Sequence, residues 1–161
     1  NENIYFILIH NNKKILSTLL SRCINFKMNL THKDCIEISN ILLNDNLENL
    51  VNNNLINYYS TPGEIYNLVQ FSLQNKYDIS KIDLKSFLQL LIKDVHYKKN
   101  DFIYNLIYNL IEFYLRNSDI SFSDLVYKKY SYFIKKISDA KTYNLDKESL
   151  LMEFNEEILD G

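Results

Sequence analysis

Apolar and polar positions follow two different rhythms along this chain. Ile4, Tyr5, Phe6, Ile7, Leu8 and Ile9 form an unbroken apolar run. A run without alternation, rich in β-branched and aromatic residues, reads as a strand buried on both faces. A polar turn follows (His10 to Lys14), then a short helical piece (Ile15 to Ser21) and a second short apolar strand (Ile24 to Met28). From Thr31 onward the apolar residues recur at helical spacing instead.

Thr31 with Asp34 three residues later is a capping-box variant, and Cys35, Ile38, Ile41 and Leu42 follow at helical intervals. Leu47, Leu50, Val51 and Leu55 predict a second helix, weakened by the Asn52-Asn53-Asn54 run, which reads as a low-complexity insertion. Thr61 to Leu73 carries the clearest start signal. Thr61 is the cap, Pro62 suits the first helical position, Glu64 closes the capping box, and Ile65, Leu68, Val69 and Leu73 line one face.

Four more amphipathic helices follow Asp78. Their stripes are Leu84, Phe87, Leu88, Leu91 and Val95, then a broad one from Phe102 through Ile103, Leu106, Ile107, Leu110 and Ile111 to Tyr114. The third is Phe122, Val126, Phe133 and Ile137, flanked by Leu125 and Ile134. The last is Leu150, Leu151, Phe154 and Ile158, a helix begun by Asn144 with Asp146 and Glu148 in its first turn. Joined by short polar connections, these four read as a helical bundle.

Composition sharpens the helical reading. Two glycines and one proline in 161 residues are too few for a turn-rich β protein, and 47 % apolar residues with 13 Tyr and 9 Phe argue against disorder. The expected fold class is mainly α. A strand buried on both faces needs a sheet around it, so the chain is expected to be the C-terminal part of a longer protein whose sheet lies upstream. Two cysteines are too few for a disulfide framework, and neither a signal peptide nor a run of ~20 apolar residues is present, so the expected location is cytoplasmic, with no membrane partner.

Charge is uneven. The net charge is −2, yet residues 1–30 hold four basic groups (Lys13, Lys14, Arg22, Lys27) against one acid, Glu2. Residues 31–76 hold two basic groups against five acidic ones. The chain has 16 lysines and only two arginines, with 22 Asn and 20 Ile, the mark of an AT-rich coding sequence. A retained arginine in such a chain points to a role that lysine cannot fill, because a guanidinium grips phosphate as a planar fork and an ammonium is a point charge. The plainer reading of Arg22 is a surface ion pair, and both stay open on composition.

Sites acting within the chain are hard to find. Gly63 and Gly161 are the only glycines, so no Gly-rich phosphate loop exists, and no pair of metal-binding acids follows an apolar strand. His10, His32 and His96 lie far apart and form no nucleophile constellation with Ser17 or Ser21. Cys35 falls on an apolar stripe, where a packed thiol is the expected role. Lys128, Lys129, Lys135 and Lys136 recur on one helix among tyrosines and read as solvated, with nucleic-acid contact as the alternative.

Three stretches taken together carry a family resemblance: Ser21-Arg22-Cys23 after a strand, turn and helix; Thr61-Pro62-Gly63-Glu64-Ile65; and Tyr143-Asn144-Leu145-Asp146-Lys147 with Leu150 and Leu151. Their order resembles clamp-loader subunits of bacterial DNA polymerase III, with the delta-prime type the nearest in pattern. The resemblance implies the end of an AAA+ α/β core over 1–29, a three-helix lid over 30–77 and a collar, or oligomerisation domain, over 78–161. It further implies that Arg22 acts in trans as an arginine finger on ATP held by a neighbour, with Ser21 positioning it and Cys23 packing beneath the turn.

The implied partners are other loader subunits (gamma/tau and delta) and, through the complex, the sliding clamp and primed DNA. The chain would do no chemistry of its own within the DNA-directed DNA polymerase holoenzyme. ATP-using members carry arginine where Glu64 stands, so the resemblance implies no cofactor of the chain's own. The alternatives are an ATP-hydrolysing gamma/tau subunit and a helical scaffold with no nucleotide role.

Overall fold

The structure is a computed structural model that describes residues 6–9, 15–26, 28–117, 124–143 and 145–160. Its described residues are mainly helical, and the chain divides into two compact units, Asn1–Leu30 and Thr31–Gly161. Among the described residues of the first unit there is one short helix, α1 (Ser17–Leu20). Neither expected strand is present among the described residues. Phe6 to Ile9, Ile24 to Phe26 and Met28 adopt no regular structure, and their side chains are exposed. A strand exists only where a neighbouring ladder takes up its N–H and C=O groups, and the described residues of this unit supply none. Ile4, Tyr5, the turn His10 to Lys14, and Lys27 lie outside the described residues.

The second unit is built from α2 (His32–Leu43), α3 (Leu47–Leu50), α4 (Pro62–Asn75), α5 (Leu84–Lys93), α6 (His96–Lys99), α7 (Asp101–Asn117), α8 (Asp124–Tyr143) and α9 (Lys147–Phe154). Two capping boxes set its entry. Thr31 N–H donates to Asp34 Oδ2 at 2.9 Å while Asp34 N–H donates to Thr31 Oγ1 at 3.2 Å. Thr61 and Glu64 repeat the arrangement at 2.9 and 3.3 Å, with Pro62 at the first helical position. Each satisfies amide donors that the helix itself cannot reach.

The Asn run forms a defined turn. Asn52 Oδ1 accepts from Asn54 N–H at 3.0 Å and starts a 3-10 turn at Asn53–Leu55. Asn52 N–H donates to the Ile79 carbonyl at 2.9 Å, tying this stretch to the one before α5. Val51 and Leu55 are thereby held in the core.

Two apolar stripes differ from the spacing-based reading. On α2, Ile41 is 78 % exposed and Leu42 half-exposed, while Cys35 and Ser39 are buried. Ser39 tolerates burial because its hydroxyl donates to the Cys35 carbonyl at 2.7 Å. On α4, Leu73 is 62 % exposed and the inward position falls to Ser72, whose hydroxyl donates to the Val69 carbonyl at 2.8 Å, with Phe71 buried beside it. The face that α2 and α4 bury against each other decided which apolar residues were covered.

One hydrophobic core joins the stretches on either side of Asp78. Leu47, Val51, Ile65, Leu68 and Phe71 belong to the same cluster as Phe87, Ile107, Ile111, Phe133 and Phe154. α5 and α6 pack on α7, and α8 packs on α7 and α9. The broad α7 face is buried as its spacing predicts, with Ile103, Ile107 and Ile111 fully covered. On α8, Phe133 and Ile137 are buried and Ile134 is exposed; Phe122 and the side chains of Leu125 and Val126 lie outside the described residues.

α9 is capped by Asp146, whose carboxylate accepts from Glu148 N–H at 3.1 Å; Asn144, expected to begin it, lies outside the described residues. The helix then widens into a π turn, Asn155–Leu159. Asp160 fixes that turn on α5, accepting from Gln89 at 2.6 Å and pairing with Lys93 at 3.2 Å. No helix among the described residues is long and apolar enough to cross a membrane.

Candidate functional site

Ser21, Arg22 and Cys23 form the exit of α1. Three amides close the turn: Ser21 N–H to the Ser17 carbonyl at 3.0 Å, Arg22 N–H to Leu19 at 3.0 Å and Cys23 N–H to Leu20 at 3.4 Å. Ser21 Oγ donates to the Thr18 carbonyl at 3.1 Å, so its hydroxyl closes the helix end. Arg22 is exposed, and among the described residues no carboxylate lies within ion-pair distance of it. Cys23 is an exposed free thiol, so the packing role expected of it is not made within the described residues. His10, Asn11 and Asn12 lie outside them.

Glu64 sits in the first turn of α4 with its carboxylate engaged by the cap. Oε2 accepts from both Thr61 N–H at 2.9 Å and Thr61 Oγ1 at 3.2 Å. A carboxylate fixed there repels phosphate and suits the positive end of the helix dipole.

His96 gains a setting that spacing did not reveal. It is 8 % exposed, with Nε2 2.8 Å from the Tyr77 hydroxyl, which donates to Asp94 Oδ2 at 3.1 Å. A hydroxyl has one proton, so donation to Asp94 requires the His96 Nε2–H to donate to Tyr77. The Phe71 ring stands edge-on to the imidazole at 5.1 Å. Burial pushes the His96 pKa below its usual value, opposed by Asp94 and assisted by Lys99. Burial, with help from Asp94, pushes Tyr77 up.

Val95 between the two partners adopts the left-handed region (φ 56°), a strained setting for a β-branched residue that turns the chain from α5 into α6. Tyr77 and His96 lie nineteen positions apart, beyond the reach of helical spacing. His96 is the buried member, while the Asp94 carboxylate at the cluster's edge is half-exposed, and the three groups hydrogen-bond in sequence.

The remaining candidates resolve simply. Cys35 is buried, and desolvation followed by Asp34 raises its thiol pKa, keeping it protonated. Lys136 pairs with Glu153 at 2.6 Å and lies 4.7 Å from the Tyr132 ring centre, while Lys129 pairs with Glu157 at 3.6 Å. Half of the α8 lysine set is thus neutralised by carboxylates; Lys128 and Lys135 are exposed. Among the described residues no group of three His, Cys, Asp or Glu side chains is placed to hold a metal.

A cleft of about 390 Å³ opens within the second unit, between the 57–60 turn, the first turn of α4 and the outer face of α7. Tyr58, Tyr59, Glu64, Glu112, Phe113 and Arg116 are among its lining residues. Sequence reasoning missed it, although Arg116 is the second of only two arginines. The paired tyrosines ahead of a Thr-Pro helix start were the other available signal. No family model, curated protein or solved structure matches this chain.

Proposed function

We propose that this chain is a clamp-loader subunit of the delta-prime type, presenting Arg22 to ATP bound by a neighbouring subunit. The observation that carries the reading is an exposed arginine, unpaired among the described residues, at the end of a short helix within Ser-Arg-Cys. Lysine supplies most of the chain's cations, and a guanidinium at a turn can fork onto the γ-phosphate as charge develops during hydrolysis. Groups of this kind accelerate hydrolysis by roughly 10³–10⁵ in well-studied cases, about 4–7 kcal/mol of barrier.

Glu64 adds support. Under the resemblance this position holds an arginine in ATP-using members, and here a capping carboxylate occupies it. On this reading the chain holds no ATP through its own lid, consumes none and serves the neighbour's site. The helical unit from Thr31 onward would supply the lid and the collar that hold the ring together.

The test is a loader reconstituted with gamma/tau-type and delta-type subunits. Arg22→Lys leaves assembly intact by size-exclusion chromatography and slows ATP hydrolysis at the neighbouring site. Wild-type hydrolysis with the variant refutes the finger role and leaves a helical scaffold. Micromolar ATP binding by the isolated chain would move the assignment to the gamma/tau type.

A further inference from the structure

The elbow between α5 and α6 places a strained residue beside a titratable ring. Among the described residues, Asn44, Lys76 and Val95 are the non-glycine positions with positive φ, and the first two close α2 and α4. Val95 occupies that region at the greatest cost, because its branched Cβ crowds the neighbouring backbone. Strain of this kind persists only where the surroundings hold it.

What holds the elbow is a short set of contacts. Asp94 N–H donates to the Leu90 carbonyl at 3.0 Å, Val95 N–H to Ile92 at 3.1 Å and Lys98 N–H to Val95 at 3.2 Å. From the stretch ahead of α5, the Tyr77 hydroxyl joins both residues that flank Val95, 3.1 Å from Asp94 Oδ2 and 2.8 Å from His96 Nε2.

The His96 ring suits this place while it is neutral. Nε2–H is committed to Tyr77, Nδ1 has no hydrogen-bond partner among the described residues, and Phe71 of α4 stands against the ring. A second proton would put a full charge on a buried side chain. Asp94 and Lys99 act on that charge with opposite signs. Asp94 lies 3.8 Å away and half-exposed, so water screens its attraction. Lys98 of α6 is held by Glu148 at 2.6 Å and Lys93 of α5 by Asp160 at 3.2 Å. α7, packed on α6, sets Tyr108 near Tyr97, and its Asp101 side chain lies outside the described residues.

We propose that this elbow is a proton-operated hinge: charging the His96 ring drives it toward water and frees Val95 and α6 from the Tyr77 tether, while the core around α7 stays folded. The strain at Val95 favours the opening once the tether is lost. Opening α6 also loosens the hold of Lys98 on Glu148 in the first turn of α9. The proposal does not depend on the Arg22 reading.

The test is amide hydrogen exchange by NMR on the whole chain at pH 7 and pH 5, with each rate corrected for its intrinsic pH dependence. Protection of the Val95 and Lys98 amides is expected to fall at least about threefold. The fall follows the midpoint of the His96 ring titration, and the Ile107 and Ile111 amides of α7 keep their protection. His96→Gln leaves a neutral donor for Tyr77 and removes the pH response. Asp94→Asn moves the midpoint to lower pH, because the carboxylate that favours the charged ring is gone. Equal protection at both pH values, an equal loss at Ile107 and Ile111, a response that survives His96→Gln, or a midpoint that rises in Asp94→Asn would each overturn the proposal.

Discussion

Replacing Phe154 by alanine tests whether the last helix completes the core. The ring is 1 % exposed and meets Phe133 edge-on at 5.4 Å and Tyr114 at 6.4 Å, so it closes α9 onto α8 and α7. Removing it forfeits a transfer contribution of about 2–3 kcal/mol. A void of order 100 Å³, at ~24 cal/mol per Å³, adds roughly 2 kcal/mol if the neighbours stay in place. Partial collapse trims that sum to an expected loss of about 3–5 kcal/mol, or roughly 10–20 °C in Tm for a unit of this size.

Urea unfolding followed by far-UV circular dichroism and tyrosine fluorescence reads the change as a shift in midpoint at constant slope. Phe154→Leu keeps most of the volume and loses the edge-on pairs, for about 1–2 kcal/mol. Ile41→Ala is the control: spacing places Ile41 on the inward stripe of α2, the structure exposes it, and the expected change is within about 0.5 kcal/mol. A Phe154→Ala loss below about 1 kcal/mol, or an Ile41→Ala loss above about 2 kcal/mol, contradicts this packing.

Other expectations follow from single features. Thr61→Ala removes the hydroxyl that caps α4 and should cost ~1 kcal/mol in chemical denaturation, with no cost at all counting against the cap. Lys76 ends α4 in the left-handed region (φ 60°), so Lys76→Gly should stabilise by about 0.5–1 kcal/mol, and a loss would contradict that geometry. Because the folded-state pKa of His96 lies below its unfolded value of 6.5, the unfolded chain binds the proton more readily. That stability is fully present above pH 6.5 and drains away as pH falls through the folded value. Asp34, Asp78, Asp83, Asp146, Glu153 and Asp160, all shifted downward by hydrogen bonds and ion pairs, weaken the fold only in stronger acid. An NMR titration placing the His96 imidazole above 6.5 would refute this.

Local chemistry was legible in the chain itself. Thr31 with Asp34 and Thr61 with Glu64 announce helix starts because a capping box closes within four residues. The broad α7 stripe likewise announces its own burial, since seven apolar positions on one helix leave few ways to be solvated. What packs against each helix is not written in its own spacing. Contact between α2 and α4 exposed Ile41 and Leu73 and buried two serines, each of which bonds to its own backbone.

The same limit hid the cleft and the buried histidine. Tyr77 reaches His96 across nineteen positions, and the cleft gathers residues from Asn57 to Asn117. A strand is the extreme case: Phe6 to Ile9 has the composition of one, but its backbone needs a partner ladder, which lies beyond any property of four residues. Helices and their caps are settled by hydrogen bonds a few residues long, and so belong to the sequence. Burial, strand pairing and the meeting of distant side chains are settled by what else occupies the space, and so belong to the tertiary structure.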